Sequence, residues 1–194
     1  VLDIEKKTCQ PKKPLVRVKN LVMVDENGKH AVDDISFTLR QGEILGIAGV
    51  EGNGQTELVE ALTGMSGYSG GTIEINGQDI KGCSVEKIRS LKLAHIPEDR
   101  MTMGIASKLS LTENMIADKL RWKQFFKHGI INKKAVRKYG YEMIEQYQVL
   151  CKTQDVAINS LSGGNIQKVV LARELSGAPQ VIIADQPTRG VDVG

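Results

Sequence analysis

The stretch from Gly42 to Gly64 constrains the fold more than any other part of the sequence, because an apolar run breaks into glycines and then resumes with helical spacing. We predict a short buried strand over residues 43–48, a loop over 49–54 and a helix over 55–63. A strand, a glycine-rich loop and a helix in this order are typical of a phosphate-binding loop, whose backbone amides and helix N-terminus hold an anion. The alternative is an ordinary strand-to-helix turn.

The loop departs at one position from the pattern G-x-x-x-x-G-K-[ST]. Gly49 and Gly54 have the required separation and Thr56 supplies the hydroxyl, but Gln55 stands where the pattern has lysine. A hydrogen bond to a charged group contributes about 1.5–3 kcal/mol, whereas a neutral one contributes about 0.5–1.5 kcal/mol. We therefore expect the affinity for phosphates to be weaker by about one order of magnitude or more.

The composition is that of a soluble globular domain, with 194 residues, 41% hydrophobic and 25% charged. The net charge of +3 is too small to indicate a polyanionic partner. Three singly scattered cysteines fit a reducing cytosol. No apolar run approaches the roughly 20 residues that cross a bilayer, so any involvement with a membrane requires another subunit. Because the sequence begins with Val1 and ends abruptly at Gly194, we expect it to be a piece of a longer chain.

The other segments predict an antiparallel beginning followed by alternating helices and strands. We predict a linker over residues 1–14 and a short helix over 84–91 with Ser84 as its cap. The predicted strands are 15–24 and 35–39 around a turn at 25–28, 72–75 and 78–80 around Asn76-Gly77, and the buried strand 93–96.

Residues 110–149 favour helix and contain the most basic part of the chain. Val136, Gly140, Met143 and Tyr147 recur at a helical interval and predict one buried face. The simplest interpretation of the cations is a solvated helical face, and the alternative is contact with a phosphate-rich surface or a partner. They are Lys119, Arg121, Lys123, Lys127, Lys133, Lys134, Arg137 and Lys138.

Two later stretches add candidate site residues. In NSLSGGNIQK, Ser162 and two glycines precede a predicted helix, and a helix N-terminus with so little bulk can approach an anion. A Ser-Gly-Gly turn is also a common helix cap. In VIIAD, a continuous apolar strand ends in Asp185, the form expected of a Mg²⁺ ligand at the carboxyl end of a parallel strand.

The order and spacing of residues 49–56, 160–168 and 181–194 resemble the nucleotide-binding domain of ABC transporters, and the resemblance covers the chain from Leu15 onward. Within that family, IPEDR, SGGNIQK and PTRGVDVG resemble the second ATPase half of the tandem subunits in bacterial importers for simple sugars and nucleosides. The nucleoside importers are the more similar, through GNGQTE and AHIPEDR.

The resemblance implies an α/β fold of the P-loop NTPase type, with a three-layer ABC core, an antiparallel β lobe and an inserted helical lobe. One ATPase domain would extend over residues 15–194, with the helical lobe at about 99–157. The implied partners are a companion ATPase half of the same subunit, transmembrane permease subunits that the helical lobe faces, and, indirectly, a substrate-binding protein. The implied location is the cytoplasmic face of a bacterial cell membrane.

The resemblance also assigns residues to ATP and Mg²⁺. Thr56 and Asp185 would hold Mg²⁺, while Gln186 and Glu98 would occupy catalytic positions, Glu98 replacing the usual glutamine that senses metal and membrane partner. The signature residues Ser162, Gly163, Gly164 and Asn165 would reach the γ-phosphate bound by the companion half. The phosphates of this half's own ATP would be wrapped by Gly49, Glu51, Gly52, Asn53, Gly54, Gln55, Thr56 and Glu57.

Several positions depart from the family pattern. Gln186 stands where a glutamate usually polarises the attacking water, and general-base help is typically worth about 10²–10⁴ in rate. The aromatic residue that stacks on adenine should fall near Asp25, which cannot stack. The switch histidine should follow the last residue, so none of His30, His95 and His128 supplies it. We therefore predict an ATP-binding domain of an importer whose own site is degenerate.

Three other functions remain open from the sequence. One is a fully active ATPase in which Glu98 or another carboxylate compensates for Gln186. Another is a soluble ABC-fold ATPase that acts on nucleic acid or ribosomes through its basic lobe. The last is a structural interaction half that binds no nucleotide.

Overall fold

A computed structural model describes residues 10–25, 27–127 and 129–187. The chain divides into two compact units, residues 1–93 and 94–194. Most of the predicted linker, together with His128 and the residues from Thr188 onward, lies outside the described residues. None of the described helices is both long and apolar enough to span a bilayer.

The first unit contains a four-stranded antiparallel sheet with the order β2-β1-β3-β4. Its strands are β1 Pro14–Val24, β2 His30–Arg40, β3 Gly70–Ile75 and β4 Gln78–Asp79. Alternate residues of β1 and β3 are buried, because one face of each strand packs into the core. Asn76 and Gly77 both have positive φ, as the predicted tight primed turn requires. Both predicted hairpins are confirmed.

Two helices complete the first unit. Helix α1, Gln55–Thr63, has the predicted bounds and buries Leu58, Ala61 and Leu62. Helix α2, Val85–Ser90, begins where Ser84 Oγ accepts a hydrogen bond from the Lys87 amide, as predicted. Ile88 of α2 is fully buried, and α1 contacts both α2 and β2.

The predicted buried strand over residues 43–48 is wrong. Residues 43–50 form no strand with any described residue, and Ile44 is 98% exposed. Ile47 and Val50 are exposed as well. A strand exists only where a neighbour accepts and donates its ladder hydrogen bonds, and an apolar run does not show whether that neighbour is present.

Among the described residues, the second unit combines two pairs of strands, β5 with β8 and β6 with β7, with three α-helices. Its elements in order are β5 Leu93–Ile96, a π-helical turn Arg100–Gly104, α3 Leu111–Ile116, β6 Phe126–Lys127, β7 Ile130–Ile131, α4 Lys133–Gln146, a 3₁₀ turn Ile158–Ser160, α5 Gly163–Leu175 and β8 Val181–Ala184. Helix α3 packs against α4 and α5. Their shared core includes Leu111, Met115, Met143, Ile158 and Val169.

The helical prediction for residues 110–149 is only partly right. Helices α3 and α4 form, and Val136, Gly140 and Met143 are the buried residues of α4. Residues 117–127 and 129–132 instead form turns and the short β6–β7 hairpin. The Asn132 side chain caps α4 by accepting a hydrogen bond from the Ala135 amide. The predicted continuous apolar strand at VIIAD forms as β8, but it is not buried along its whole length, since Val181 is buried and Ile182 is exposed.

Lys119 corrects the interpretation of the basic residues as a solvated face. Its side chain is 1% exposed, and Nζ donates to Asp118 Oδ1 at 2.7 Å and to the Arg173 carbonyl. Nζ also lies 5.6 Å from the centre of the Trp122 ring. A buried ammonium needs such partners because leaving water is costly. The other basic side chains described in this segment are exposed.

Candidate functional site

The glycine-rich loop at residues 49–54 is shaped by the strand behind it. Gly52 and Gly54 have φ angles of 83° and 91°, a region that favours glycine. A Cβ on Gly54 would overlap the carbonyl oxygen of Ala31 in β2. The loop can therefore lie directly against β2 only with glycine at this position.

Helix α1 begins at this loop and presents donors to it. Gly54 is the N-cap, and the first helical hydrogen bond runs from the Leu58 amide to the Gly54 carbonyl at 2.9 Å. The amides of residues 55–57 precede that bond and have no acceptor within the helix. Together with the helix dipole, these amides can attract an anion, and Thr56 adds an exposed hydroxyl.

The side chain of Gln55 folds back over its own loop. Its Nε2 donates to the Val50 carbonyl at 3.2 Å, and a Cβ on Gly49 would overlap the same nitrogen. Gln55 thus fills the space above Gly49 and bonds within the loop. In this arrangement the loop offers backbone donors to an anion and no cationic side chain.

Asp25 stands near the position where the family pattern has an aromatic residue, and its side chain has a local structural role. Its Oδ1 accepts hydrogen bonds from the amides of Asn27 and Lys29, both at 2.9 Å. An aspartate that bonds the backbone two residues ahead is typical of a tight turn. Asp25 therefore stabilises the β1–β2 turn.

Helix α5 begins with a second glycine-lined N-terminus. Ser162 is the N-cap and is exposed, yet its hydroxyl caps none of the helix amides. Ser162 Oγ instead accepts from Asn165 Nδ2 at 2.9 Å, while Asn165 Oδ1 accepts from the Leu150 amide at 2.7 Å. A Cβ on Gly164 would meet nothing within 4 Å. The four predicted signature residues are thus together, with the first amides of the helix uncapped.

The start of helix α3 shows what a closed N-terminus looks like in the same unit. Ser110 Oγ accepts from the Glu113 amide, and Glu113 Oε2 accepts from the Ser110 amide at 2.8 Å. These two bonds form a capping box. Ser162 and Asn165 have the same spacing, but the Ser162 side chain accepts from the Asn165 side chain and from no amide of α5, so the first amides of the helix stay available.

The carboxyl ends of β5 and β8 lie side by side. The Asp185 amide donates to the Ile96 carbonyl at 2.9 Å, so the residues that follow both strands emerge at one edge. This places Glu98 near the same edge as Asp185 and Gln186. Asp185 and Glu98 are half-buried, whereas Gln186 is exposed and has a φ of 42°.

Sequence reasoning missed the residues that hold this edge in place. Gln167 Nε2 donates to the Pro187 carbonyl at 3.2 Å, and Glu174 Oε2 accepts from the His95 amide at 3.2 Å. Both side chains are buried. They lie seven positions apart on α5, so polar residues at the spacing of its apolar face are the signal that could have identified them.

Asp99, also missed, fixes the turn that follows Glu98. Its carboxylate accepts hydrogen bonds from Thr102 Oγ1 at 2.7 Å and from the Met101 amide at 2.8 Å. The bond from the Thr102 hydroxyl is the main reason that the pKa of Asp99 lies below its usual range, and the amide bonds add to it.

The predicted site residues divide between the two units. Gly49 to Glu57 belong to the first unit, and Glu98, Ser162 to Asn165, Asp185 and Gln186 belong to the second. Thr56 and Asp185 provide a hydroxyl and a carboxylate oxygen, the hard ligands that Mg²⁺ prefers. Among the described residues, no three His, Cys, Asp or Glu side chains cluster as a metal site.

A family model described as ABC transporter matches residues 32–189. The chain belongs to the ABC transporter family. It is 36% identical over 98% of its length to the nucleoside import ATP-binding protein NupA of Lactococcus lactis subsp. cremoris. It is 37% identical, again over 98% of its length, to the guanosine import ATP-binding protein NupO of Bacillus subtilis. The resemblance to the ABC transporter family is confirmed, and the assignment to the second ATPase half stays a prediction.

These ABC relatives are much longer than the chain. The chain spans 38% of NupA and 37% of NupO. It is also 38% identical, over 83% of its length, to the ribose import ATP-binding protein RbsA of Lactococcus lactis subsp. lactis, of which it spans 32%.

Solved structures confirm the predicted fold. A dimeric structure of a bacterial ABC transporter cassette matches with a TM-score of 0.74 and 21% identity, covering 92% of this chain and 76% of the cassette. A post-hydrolysis cassette bound to ADP and phosphate matches with a TM-score of 0.75 and 21% identity, covering 92% and 77%. The α/β fold is that of an ABC ATPase cassette.

Proposed function

We propose that the chain is one ATP-binding half of an importer for nucleosides or simple sugars, and that its own nucleotide site is degenerate. The names of the relatives support the class of transporter. Because two of these names refer to nucleoside and guanosine import, they favour nucleosides over simple sugars as the transported substrate. In this proposal the half works beside a companion ATPase half, under transmembrane permease subunits, at the cytoplasmic face of the membrane. A substrate-binding protein acts on it only indirectly.

The observation that carries the degenerate site is the position of the Gln55 side chain. Its amide bonds to the Val50 carbonyl and covers Gly49. To reach a phosphate it would have to leave that bond, and it would then offer only a neutral donor. Backbone amides at the start of α1 would therefore supply most of the phosphate binding, and Thr56 and Asp185 would be the residues that hold Mg²⁺.

The edge formed by β5 and β8 supports slow hydrolysis at this half's own site. Gln186 would orient a water molecule but cannot accept its proton near neutral pH, and the missing general base is worth about 10²–10⁴ in rate. Glu98 is the carboxylate that follows the neighbouring strand. Compensation by Glu98 would make this half a fully active ATPase, which is the second candidate.

The start of α5 supports a different role toward the companion half. The Ser162 hydroxyl is exposed, Asn165 is held by the Leu150 amide, and the helix amides are uncapped. In the proposal these groups approach the γ-phosphate of ATP bound by the companion half. This half then contributes a competent signature and an incompetent loop.

The test compares two substitutions in the full-length subunit assembled with its permease. We expect Ser162→Arg to abolish ATP turnover, because a long cation at the helix tip would occupy the space of the γ-phosphate. We expect Gln55→Ala to leave most of the turnover, because the competent site is the one in the companion half. Steady-state phosphate release measures both.

The matched control is Ser90→Arg, which adds the same side chain at an exposed serine at the end of α2. We expect it to leave turnover unchanged, because Ser90 is not among the predicted site residues. The helix should also stay stable, since a cation is favoured at a helix C-terminus. If Gln55→Ala abolishes turnover as completely as Ser162→Arg does, this half has a working site and the degenerate-site proposal is wrong.

A further inference from the structure

The basic residues are concentrated in one acid-free segment of the second unit. Residues 119–141 contain eight of the chain's 26 Lys and Arg and none of its 23 Asp and Glu. The overall charge of +3 therefore conceals a local excess of cations. A cluster of this size within one short segment is the charge pattern that attracts an anionic surface.

Some of these cations already have partners within the protein. Lys119 is buried against Asp118, Arg137 pairs with Asp155 at 3.0 Å, and Lys138 lies 3.8 Å from Glu142. The exposed lysines 123, 133 and 134 enter no ion pair with any described residue.

Two of these lysines occupy the first turn of a helix. Lys133 and Lys134 follow the N-cap Asn132, and the first turn of α4 has no acidic residue. The helix dipole disfavours cations at this end. Their position therefore does nothing for the stability of α4, and a role outside the protein accounts for it better.

Apolar side chains are exposed beside these cations. Phe126 and Ile131 are cross-strand partners in the β6–β7 hairpin, so their side chains lie on one face, and both are exposed. Phe125, the neighbour of Phe126, is 1% exposed and stacks on the Trp122 ring with a distance of 5.9 Å between the ring centres. The buried Phe125 anchors the start of the hairpin, while Phe126 and Ile131 remain exposed.

We propose that this surface binds the anionic headgroups of a lipid bilayer, with its apolar side chains entering the headgroup region. We name it the basic hairpin surface and define it by Trp122, Lys123, Phe126, Ile131, Lys133 and Lys134. A bilayer that contains anionic lipid fits both the cations and the apolar groups of this surface, because its phosphates pair with the lysines and its interface accepts aromatic and aliphatic groups. A nucleic acid offers phosphates but no apolar region for Phe126 and Ile131.

The proposal goes beyond the function proposed above and does not depend on nucleotide binding or hydrolysis. It also replaces the expectation from the sequence that any involvement with a membrane requires another subunit, because a surface can bind headgroups without a segment that crosses the bilayer. The test is co-sedimentation of the protein with vesicles of phosphatidylcholine alone and of phosphatidylcholine mixed with phosphatidylglycerol. We expect binding only to the mixed vesicles, weakening as salt is added. Each lysine near an anionic surface contributes about a fivefold increase in partitioning, so the triple change Lys123→Gln, Lys133→Gln and Lys134→Gln should reduce binding by roughly 100-fold.

Two further variants separate a lipid site from general charge. The control Lys12→Gln, Lys13→Gln and Lys29→Gln removes the same charge from exposed lysines of the first unit and should leave binding nearly unchanged. The pair Phe126→Ser and Ile131→Ser keeps every charge and should still reduce vesicle binding by about tenfold. Thermal unfolding of each variant shows that the fold is retained.

Three outcomes would overturn the proposal. One is equal binding to both kinds of vesicle. Another is an equal loss in the control variant, which would show that charge anywhere on the protein suffices. The third is tighter binding to duplex RNA or to the isolated permease that is lost with the lysines but unaffected by the changes at Phe126 and Ile131, which would assign the surface to a nucleic acid or protein partner.

Discussion

The N-termini of α1 and α5 are both lined by glycine and both suited to an anion, but they are built differently. At α1 the backbone determines the shape of the N-terminus, since Gly54 lies against β2 and the N-cap residue carries no side chain. At α5 side-chain hydrogen bonds determine it, since Ser162 and Asn165 bond one another and Asn165 accepts from the Leu150 amide. The N-terminus of α1 should therefore be destabilised by any added side-chain atom. The N-terminus of α5 should accept an added atom but lose stability when a polar side chain is removed.

The largest effect should come from adding a methyl group at each helix start. Gly54→Ala places a Cβ on the Ala31 carbonyl at a φ of 91°, and we expect it to reduce the free energy of unfolding by about 2–4 kcal/mol. The matched change Gly164→Ala meets nothing within 4 Å and should change stability by about 1 kcal/mol or less, in the stabilising direction. Urea denaturation measures both.

Equal losses in these two variants would show that both N-termini are backbone structures pressed against their surroundings. The contrast between them would then be wrong.

A smaller and opposite contrast should come from removing an asparagine side chain at each site. Asn165→Ala removes the bonds to Leu150 and Ser162, and neutral bonds at exposed positions predict a loss of about 1–2 kcal/mol. Asn53→Ala in the glycine-rich loop removes an exposed side chain for which we expect a change of about 0.5 kcal/mol or less. A larger loss at Asn53 than at Asn165 would reverse the comparison.

The sequence predicted most of what is local in this fold. The bounds of α1, the cap of α2 and the Asn76-Gly77 turn follow from glycine, serine and apolar spacing within a few residues. The failures are non-local. Residues 43–48 have no strand partner in the part of the chain that the structure describes, and the buried state of Lys119 depends on the Arg173 carbonyl far along the chain.

The candidate site divides in the same way. The replacement of lysine by Gln55 and the glycines of both helix starts could be identified from the sequence alone. The hydrogen bond from the Gln55 side-chain amide to the Val50 carbonyl could not be identified from the sequence, because it depends on the rotamer of Gln55. The role of Gln167 could not be predicted for a different reason. Its acceptor is the Pro187 carbonyl, and because every residue has a backbone carbonyl, the sequence does not show which one accepts the bond.

The smallest effect should come from pH at the start of α3, the closed counterpart of α5. Hydrogen bonds from the Ser110 hydroxyl and amide lower the pKa of Glu113 below its usual range. A carboxylate whose pKa is lowered by folding stabilises the protein above its unfolded pKa of about 4.3, and that contribution is lost as the pH falls through the lowered value.

Glu113→Gln should therefore lower the melting temperature slightly at neutral pH, and the two proteins should converge in acid as the wild-type carboxylate becomes protonated. The Ser110→Ala background provides the control, because it removes the hydroxyl that contributes most to the lowered pKa. In that background the difference between Glu and Gln should shrink at neutral pH and depend less on acidification. A difference that stays constant with pH in both backgrounds would mean that the capping box acts through shape alone, and the start of α3 would then differ from the start of α5 only in which groups bond the serine.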